Sequence, residues 1–352
     1  MKYIKSSVLL SILMVFIFSC NEKDKPPLLS DIAKNEGFFL VNEGTFGFGN
    51  ASLNYINLKD ESKNTGNDLF YNANNRKVGD VFQSMNYING NLWLVLNNSG
   101  KIEIVNSQNF KSIASIKNLK SPRYSLEIIP GKVYVSDLNS NYINIINSVD
   151  FTKTGEIKCV GWTEEMLLFE QKVWITNHNS NYLYVINPQN DVITDSIKLA
   201  WGGSSLLSDK YGKIWVLCSG DIIKNKTGGL FCINAKNLKI EKEILFDKTD
   251  FNPFKLKQTE NNDSIMFICK GIYKFSKNDN NLPLLPFIKE LTGSSFYGLT
   301  IDKNDGNIFV ADAYDYVSNG KIHKYSASGN FLKSYKAGVV PSDFLWWWVI
   351  FR

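Results

Sequence analysis

Residues with the chemistry of catalytic and metal sites are scarce in this sequence. Its 352 residues include only two histidines, His178 and His323, which lie far apart and have no cysteine or carboxylate near them at a metal-ligand spacing. Serines are numerous, but none sits in the strand–turn–helix motif that exposes the nucleophile of α/β hydrolases. We therefore expect a protein that is not an enzyme and that uses neither a metal ion nor a cofactor.

A concentrated charge of one sign is also missing. The net charge of +5 comes from lysines scattered along the chain, with no basic block. Proteins that bind nucleic acids usually gather lysine and arginine on one segment or face. We therefore expect no nucleic-acid partner.

The five cysteines have spacings that fit no zinc site. Apart from Cys20, they are Cys159, Cys218, Cys232 and Cys269. Cys218 and Cys232 fall in neighbouring predicted strands and could form a disulfide in an oxidising compartment. Isolated buried thiols are the alternative, because free cysteine packs as a small apolar residue.

The apolar run over residues 8–18 is too short to span a membrane comfortably. Lysines precede the run and Ser19 and Cys20 follow it, which is the order of a secretory signal. A cysteine at this point resembles the bacterial lipoprotein signal, in which Cys20 becomes the lipidated first residue. We predict a lipoprotein signal peptide over 1–19 and a polar, lipidated tether over 20–36. A plain cleaved signal is the alternative.

The residues just after the predicted lipidation site bear on localisation. Glu22 and Asp24 resemble the acidic export signal of surface lipoproteins in the Bacteroidetes. Acyl chains on Cys20 would anchor the protein stably. We expect an outer-membrane, lipid-anchored protein that is exposed at the cell surface and contacts the membrane only through its anchor.

The rest of the chain is built from an internal repeat of roughly forty residues. One apolar, β-branched and aromatic motif that ends in turn-forming residues occurs seven times. The copies are FFLVNEG (38–44), LWLVLNN (92–98), VYVSDLN (133–139), VWITNHN (173–179), IWVLCSG (214–220), IMFICKG (265–271) and IFVADAY (308–314).

Each copy lies among other short predicted strands. An alternating strand follows it, as in KIEIVNS and YLYVINP, and a third strand follows several of these, as in TGEIKCV. An apolar segment such as RYSLEII precedes most copies. Four short strands per repeat are typical of a propeller blade. We predict an all-β, seven-bladed β-propeller over 37–352, with no amphipathic helix and no second domain.

The first copy has only the tether before it, so blade one lacks its own inner strand. The last copy leaves over the segment VVPSDFLWWW (339–348), which aligns with the lead-in to another inner strand, with Pro341 matching Pro122. We predict that this C-terminal strand completes blade one and closes the ring, since an open ring would leave strand edges unpaired. Strand alternation would place Trp347 on the face opposite Trp346 and Trp348.

The lead-ins to the inner strands are expected to meet on one face around the central axis. They combine aromatic rings with charged or amide groups, an arrangement suited to a large amphipathic ligand or a sugar. The alternative for each ring is packing between blades. We call these candidate ligand-binding residues the crown. They are Asp80, Phe82, Gln83, Arg123, Tyr124, Trp162, Glu164, Trp201, Phe254, Phe296, Tyr297, Asp343 and Phe344.

Three motifs carry a resemblance to a known family. They are NEGTFGFGNASL (42–53), GDV (79–81) and VADAYDYVSNGKIHKYSASG (310–329). With these motifs the chain resembles the YncE-like, YVTN-type propellers of Bacteroidetes surface lipoproteins, and among them the BtuG-type corrinoid-binding proteins. The resemblance implies a surface lipoprotein that captures a corrinoid such as cobalamin and passes it to a TonB-dependent outer-membrane transporter. A glycan-binding or protein-interaction propeller of a surface uptake system is the alternative function.

Overall fold

Antiparallel β-strands make up nearly all of the regular structure. The computed structural model describes residues 37–66, 68–346 and 348, and within these ranges the chain forms 27 strands in seven sheets. The predicted signal peptide, Cys20 and the tether lie outside the described residues. In the described part, no helix is long and apolar enough to cross a membrane.

Six sheets have four strands each, and the seventh, blade one, has three. Blade one contains β1 (Gly37–Asn42), β2 (Ser52–Asn57) and the last strand of the chain, β27 (Pro341–Trp346). Blade two contains β3 (Phe82–Ile88), β4 (Asn91–Leu96), β5 (Lys101–Asn106) and β6 (Ser112–Ile116). Blade three contains β7 (Pro122–Ile129), β8 (Lys132–Asp137), β9 (Tyr142–Asn147) and β10 (Lys153–Lys158).

The remaining four blades follow in chain order. Blade four contains β11 (Thr163–Phe169), β12 (Lys172–Asn177), β13 (Tyr182–Asn187) and β14 (Val192–Lys198). Blade five contains β15 (Gly203–Ser208), β16 (Lys213–Cys218), β17 (Gly229–Asn234) and β18 (Ile240–Leu245). Blade six contains β19 (Phe254–Gln258), β20 (Ser264–Ile268), β21 (Gly271–Ser276) and β22 (Ile288–Lys289). Blade seven contains β23 (Phe296–Ile301), β24 (Ile308–Asp312), β25 (Asn319–Tyr325) and β26 (Phe331–Val339).

The hydrophobic core is divided among the gaps between blades. Seven clusters of buried apolar side chains occur, and each contains residues of two neighbouring blades. The repeated motif supplies most of them, because its strand is the second in each blade and is buried on both faces, as in β4 and β16. Outer strands such as β10 are mostly exposed, and in β10 only Ile157 is buried. This distribution confirms the predicted seven-bladed, all-β fold.

The C-terminal strand closes the ring, as predicted. Strand β27 pairs antiparallel with β1, and Trp346 lies opposite Phe38. The Trp346 indole donates a hydrogen bond to Thr300 Oγ1 of blade seven at 2.8 Å and stacks on Trp348, with ring centroids 4.2 Å apart. Trp347 lies outside the described residues.

Blade one departs from the predicted four-strand pattern. Instead of an outer strand, an irregular segment with a 3-10 turn at Glu61–Lys63 covers the edge of β2, where the Thr65 amide donates to the Tyr55 carbonyl at 3.0 Å. A short helix, α1 (Leu69–Asn74), follows, and the Asp68 side chain caps it. The sequence predicted no amphipathic helix, and α1 is a single short helix in an otherwise all-β described chain. Six residues are too few to produce a helical period that a sequence pattern could show.

The cysteine alternatives are also resolved. All four cysteines of the described chain are free and buried. In the pairing of β16 with β17, Cys218 lies opposite Gly229 and Cys232 lies opposite Trp215. The two cysteines are therefore not cross-strand neighbours. The structure therefore shows the second of the two alternatives, isolated buried thiols, and burial raises the pKa of the Cys232 thiol to about 11.

Deleting residues 341–352 should destabilise the whole propeller. Truncating a buried Trp such as Trp346 alone costs about 3–5 kcal/mol, and the deletion also leaves the β1 edge unpaired. We expect a lower melting temperature and a broader transition in circular dichroism. Ile113→Ala, at a side chain that is 49% exposed on the outer strand β6, is the control and should melt like the parent. Parent-like melting of the truncated protein would contradict ring closure by β27.

Asp312 gives blade seven a pH-dependent contribution to stability. Burial raises its pKa, but hydrogen bonds from the His323 ring, the Ser295 amide and the Ser294 hydroxyl outweigh this and hold the pKa far below its usual value. The contribution is therefore present above the unfolded-state pKa of about 3.9 and is lost as the pH falls below it.

Asp312→Asn should lower the unfolding free energy at pH 7 by about 1–3 kcal/mol. The difference from the parent should shrink in urea titrations at successively lower pH, since the wild-type carboxylate becomes protonated. Asp195→Asn, at an exposed outer-strand position, should have little effect at any pH. A pH-independent difference for Asp312→Asn would contradict the assignment.

Candidate functional site

Every inner strand carries a register shift at its first residues, on the face where the crown was predicted. The shifts lie at Phe82/Ser84, Pro122/Ser125, Thr163/Met166, Gly203/Ser205, Phe254/Lys257 and Phe296/Gly298, and in β27 opposite Val41/Asn42. A bulge places an extra residue outside the ladder and re-aims its side chain. Side chains that regular alternation would send between blades therefore face the central axis.

A cavity of about 320 Å³ lies where these bulges converge. Eight of its lining residues are bulge residues: Gln83, Arg123, Tyr124, Glu164, Glu165, Ser204, Lys255 and Tyr297. The other lining residues are Glu43, Trp162, His178, Ser205, Ser219, Asn252 and Phe254. We call this cavity the central pocket. Its walls combine aromatic rings with charged and hydroxyl groups.

One side of the central pocket is fixed by an ion pair between neighbouring blades. The Arg123 guanidinium donates to both carboxylate oxygens of Glu164, with Nη2–Oε1 at 2.7 Å and Nε–Oε2 at 3.0 Å, and Nη1 donates to Gln83. Burial acts to lower the pKa of Arg123, but its interactions with Glu164, Tyr124 and Glu43 together raise it. The Trp162 indole also donates to Glu164, at 2.6 Å. These groups hold each other in place.

Two rings form a stacked wall next to this ion pair. Trp162 and His178 lie with centroids 4.4 Å apart at 24°, and the Arg123 guanidinium lies 5.4 Å from the Trp162 ring centre. Burial lowers the pKa of His178, although Glu164 acts in the opposite direction. Burial therefore favours the uncharged form of His178, whose ring extends the aromatic surface of Trp162.

The central pocket contains two further carboxylates, those of Glu43 and Glu165. Burial raises the pKa of Glu43, against the influence of Lys255 and Arg123, and it also raises that of Glu165. The Tyr297 hydroxyl donates to Glu43 at 3.3 Å. No group of three or more metal-ligating side chains occurs in the part of the chain that the structure describes.

The structure brings seven of the thirteen crown residues into the central pocket. They are Gln83, Arg123, Tyr124, Trp162, Glu164, Phe254 and Tyr297. Asp343 does not line it, but its charge acts on Lys255, which does.

The other five crown residues have neighbours outside the pocket. Phe82 and Phe296 are buried between blades, as the packing alternative predicted. Phe344 packs against Phe38, with ring centroids 5.1 Å apart. Asp80 accepts a hydrogen bond from the Gly47 amide at 2.9 Å. The ring centre of Trp201 lies 4.8 Å from the Lys224 ammonium.

Eight pocket residues were not among the predicted ones. They are Glu43, Glu165, His178, Ser204, Ser205, Ser219, Asn252 and Lys255. The sequence did contain one indication of a bulge. Glu164 and Glu165 are adjacent near the start of a strand, and regular alternation would place one of the two carboxylates between blades. No such signal marks Lys255, which lies in β19 between two apolar residues.

The Arg123–Glu164 pair gives a direct test of this geometry. Arg123→Met leaves Glu164 buried without its cation and should lower the unfolding free energy by about 3–5 kcal/mol, measured by urea denaturation. The double variant Arg123→Met/Glu164→Gln should recover part of that loss.

The exposed pair Lys153–Glu156 provides the matched control. Its atoms are 2.8 Å apart and both side chains are more than 40% exposed, so Lys153→Met should cost less than about 1 kcal/mol. Equal losses for Arg123→Met and Lys153→Met would show that the central pair is not a fixed, buried element of the pocket.

Several solved structures are similar to this fold. A quinonprotein alcohol dehydrogenase-like protein from Bacteroides thetaiotaomicron superposes with a TM-score of 0.69 at 18% identity, covering 89% of this chain and 78% of that one. The dihydro-heme d1 dehydrogenase NirN gives 0.59 at 11% identity over 89% and 76% of the two chains. Hydrazine synthase from Kuenenia stuttgartiensis gives 0.54 at 11% identity over 72% and 85%. Likeness at these identities shows the fold alone.

Sequence comparison identifies the family. No curated protein sequence matches the chain. Residues 36–337, however, match the family described as "Domain of unknown function (DUF5074)". Since this match spans most of the sequence, the protein belongs to the DUF5074 family.

Proposed function

We propose that this protein is a non-enzymatic surface lipoprotein that captures a large amphipathic small molecule, in the first instance a corrinoid, at the central pocket. The observation that carries the proposal is the set of inner-strand bulges, which turn polar and aromatic side chains from six blades toward one cavity. Ligand sites typically combine such aromatic surfaces with a few convergent polar groups.

The size of the central pocket limits how such a ligand would bind. At about 320 Å³ it lies at the small end of the range for small-molecule sites, about 300–1,000 Å³. A flat corrin macrocycle would therefore lie across the mouth of the pocket, with one of its amide side chains inside. The stacked rings of Trp162 and His178 offer an apolar surface to the macrocycle.

Delivery to a transporter is the second part of the proposal. The motifs shared with the BtuG-type proteins and the lipoprotein signal ending at Cys20 support a role at the outer membrane. A ligand held at the mouth of an open pocket could be released to a TonB-dependent transporter without unfolding of the propeller.

A glycan is the alternative ligand, and one observation favours it. The central pocket contains three carboxylates, three serine hydroxyls and the aromatic rings of Trp162, Phe254 and Tyr297. Carboxylates and hydroxyls can hydrogen-bond sugar hydroxyls, and aromatic rings can pack on sugar faces. A single sugar unit would enter the pocket more completely than a corrin could.

Calorimetric titration with cyanocobalamin tests the proposal. We expect saturable binding to the purified protein, and Trp162→Ala should weaken it by at least about tenfold because a central aromatic anchor is lost. Tyr211→Ala, at a side chain that is 67% exposed on the opposite face, is the control and should bind like the parent. Absence of binding at tens of micromolar cyanocobalamin, with binding of an oligosaccharide, would replace the corrinoid by a glycan.

A further inference from the structure

Lys255 occupies an unusual backbone position in the central pocket. It lies in the bulge of β19 with φ 58°, in the left-handed region that non-glycine residues seldom adopt. Such conformations cost free energy and persist where the surrounding structure fixes them, often at binding sites. Here the conformation places the Lys255 side chain in the central pocket. A regular strand would instead continue to direct successive side chains to alternate faces of the sheet.

The Lys255 ammonium and the neighbouring Tyr124 hydroxyl are hydrogen-bond donors that have no acceptor among the described residues. Across residues 37–66, 68–346 and 348, neither group has a hydrogen bond, and Lys255 has no ion pair within 4.0 Å; both residues line the pocket. Arg123, the other cation that lines the pocket, already donates to Glu164 and Gln83. A ligand atom that accepts hydrogen bonds would therefore meet two available donors at Lys255 and Tyr124.

The carboxylates around Lys255 determine whether the pocket favours a charged or an uncharged hydrogen-bond acceptor. Asp343, Glu165 and Glu43 all act electrostatically on its ammonium. Glu165 accepts hydrogen bonds from the Ser205 hydroxyl at 3.1 Å and the Leu206 amide at 3.2 Å, so it is held in place on this side of the pocket.

Two other cations act on this group of carboxylates. Lys257 interacts with Glu165, and Arg123 interacts with Glu43 but is already paired with Glu164. With Glu164 included, three cations face four carboxylates. An anionic ligand group would be attracted by Lys255 but repelled by more carboxylates than there are free cations. An uncharged oxygen would gain the hydrogen bonds without that repulsion.

We infer that Lys255 and Tyr124 form a subsite for an uncharged oxygen acceptor, an amide carbonyl or a hydroxyl, and that this subsite discriminates against a carboxylate. The inference deepens the proposed function and rests on it in taking the central pocket as the ligand site. It names the ligand chemistry common to a corrinoid amide side chain and a neutral sugar.

Nicotinamide and nicotinate are a matched pair of probes that share a flat ring and differ in the group of interest. Ligand-observed NMR titrations at pH 7 should show nicotinamide binding in the millimolar range, with nicotinate at least about tenfold weaker. Glu165→Gln should narrow this gap, because one repelling carboxylate is removed. Nicotinate binding as tightly as nicotinamide overturns the inference, and so does failure of nicotinamide to bind.

Substitution of Lys255 separates its role from general effects of charge. Lys255→Met should weaken nicotinamide binding by at least about fivefold, with the melting temperature checked in parallel. Lys236→Met, at an exposed position in blade five, should bind like the parent. Unchanged nicotinamide binding in a folded Lys255→Met protein overturns the assignment. The cyanocobalamin titration does not involve these probes, so it decides the proposed function separately.

Discussion

The bulge at the start of each inner strand is the feature on which the central pocket depends. A regular strand sends alternate side chains into the gaps between blades, where charged groups such as Arg123 or Lys255 would be costly. The bulge releases one or two residues from the ladder and directs them to the axis. Below the bulges the inner strands pair with their neighbours, with one further register shift at Glu127/Ile129 in β7. The seven apolar clusters between blades hold the strands in position. Rigid sheets thus support an irregular, polar centre.

The architecture could be predicted from the sequence because a propeller is built from local repeats. Each copy of the motif is a strand buried on both faces, and the copies alone gave seven blades; the unmatched segment before Trp346 identified the closing strand. Blade one was less predictable. The segment that replaces its outer strand, and helix α1 after it, follow no repeat, and hydrogen bonds such as that between Thr65 and Tyr55 are specific to this blade.

The candidate site was predicted less completely, and the register shifts explain why. Phe82 and Phe296 sit just before their bulges, still pair in the ladder, and are buried between blades. Tyr297 is one residue further, lies in the bulge and lines the pocket. A displacement of a single residue therefore separates packing between blades from a position that lines the central pocket. The sequence shows which segments contribute crown residues. The position of each bulge, however, depends on how the strands pair in three dimensions.

A crystal structure of the protein with cyanocobalamin is the decisive measurement for the proposed ligand site at the mouth of the central pocket. We expect the corrin ring to lie against Trp162 and His178, with an uncharged side-chain oxygen near Lys255 and Tyr124. A corrinoid bound on the opposite face, or between blades away from the bulges, would contradict it.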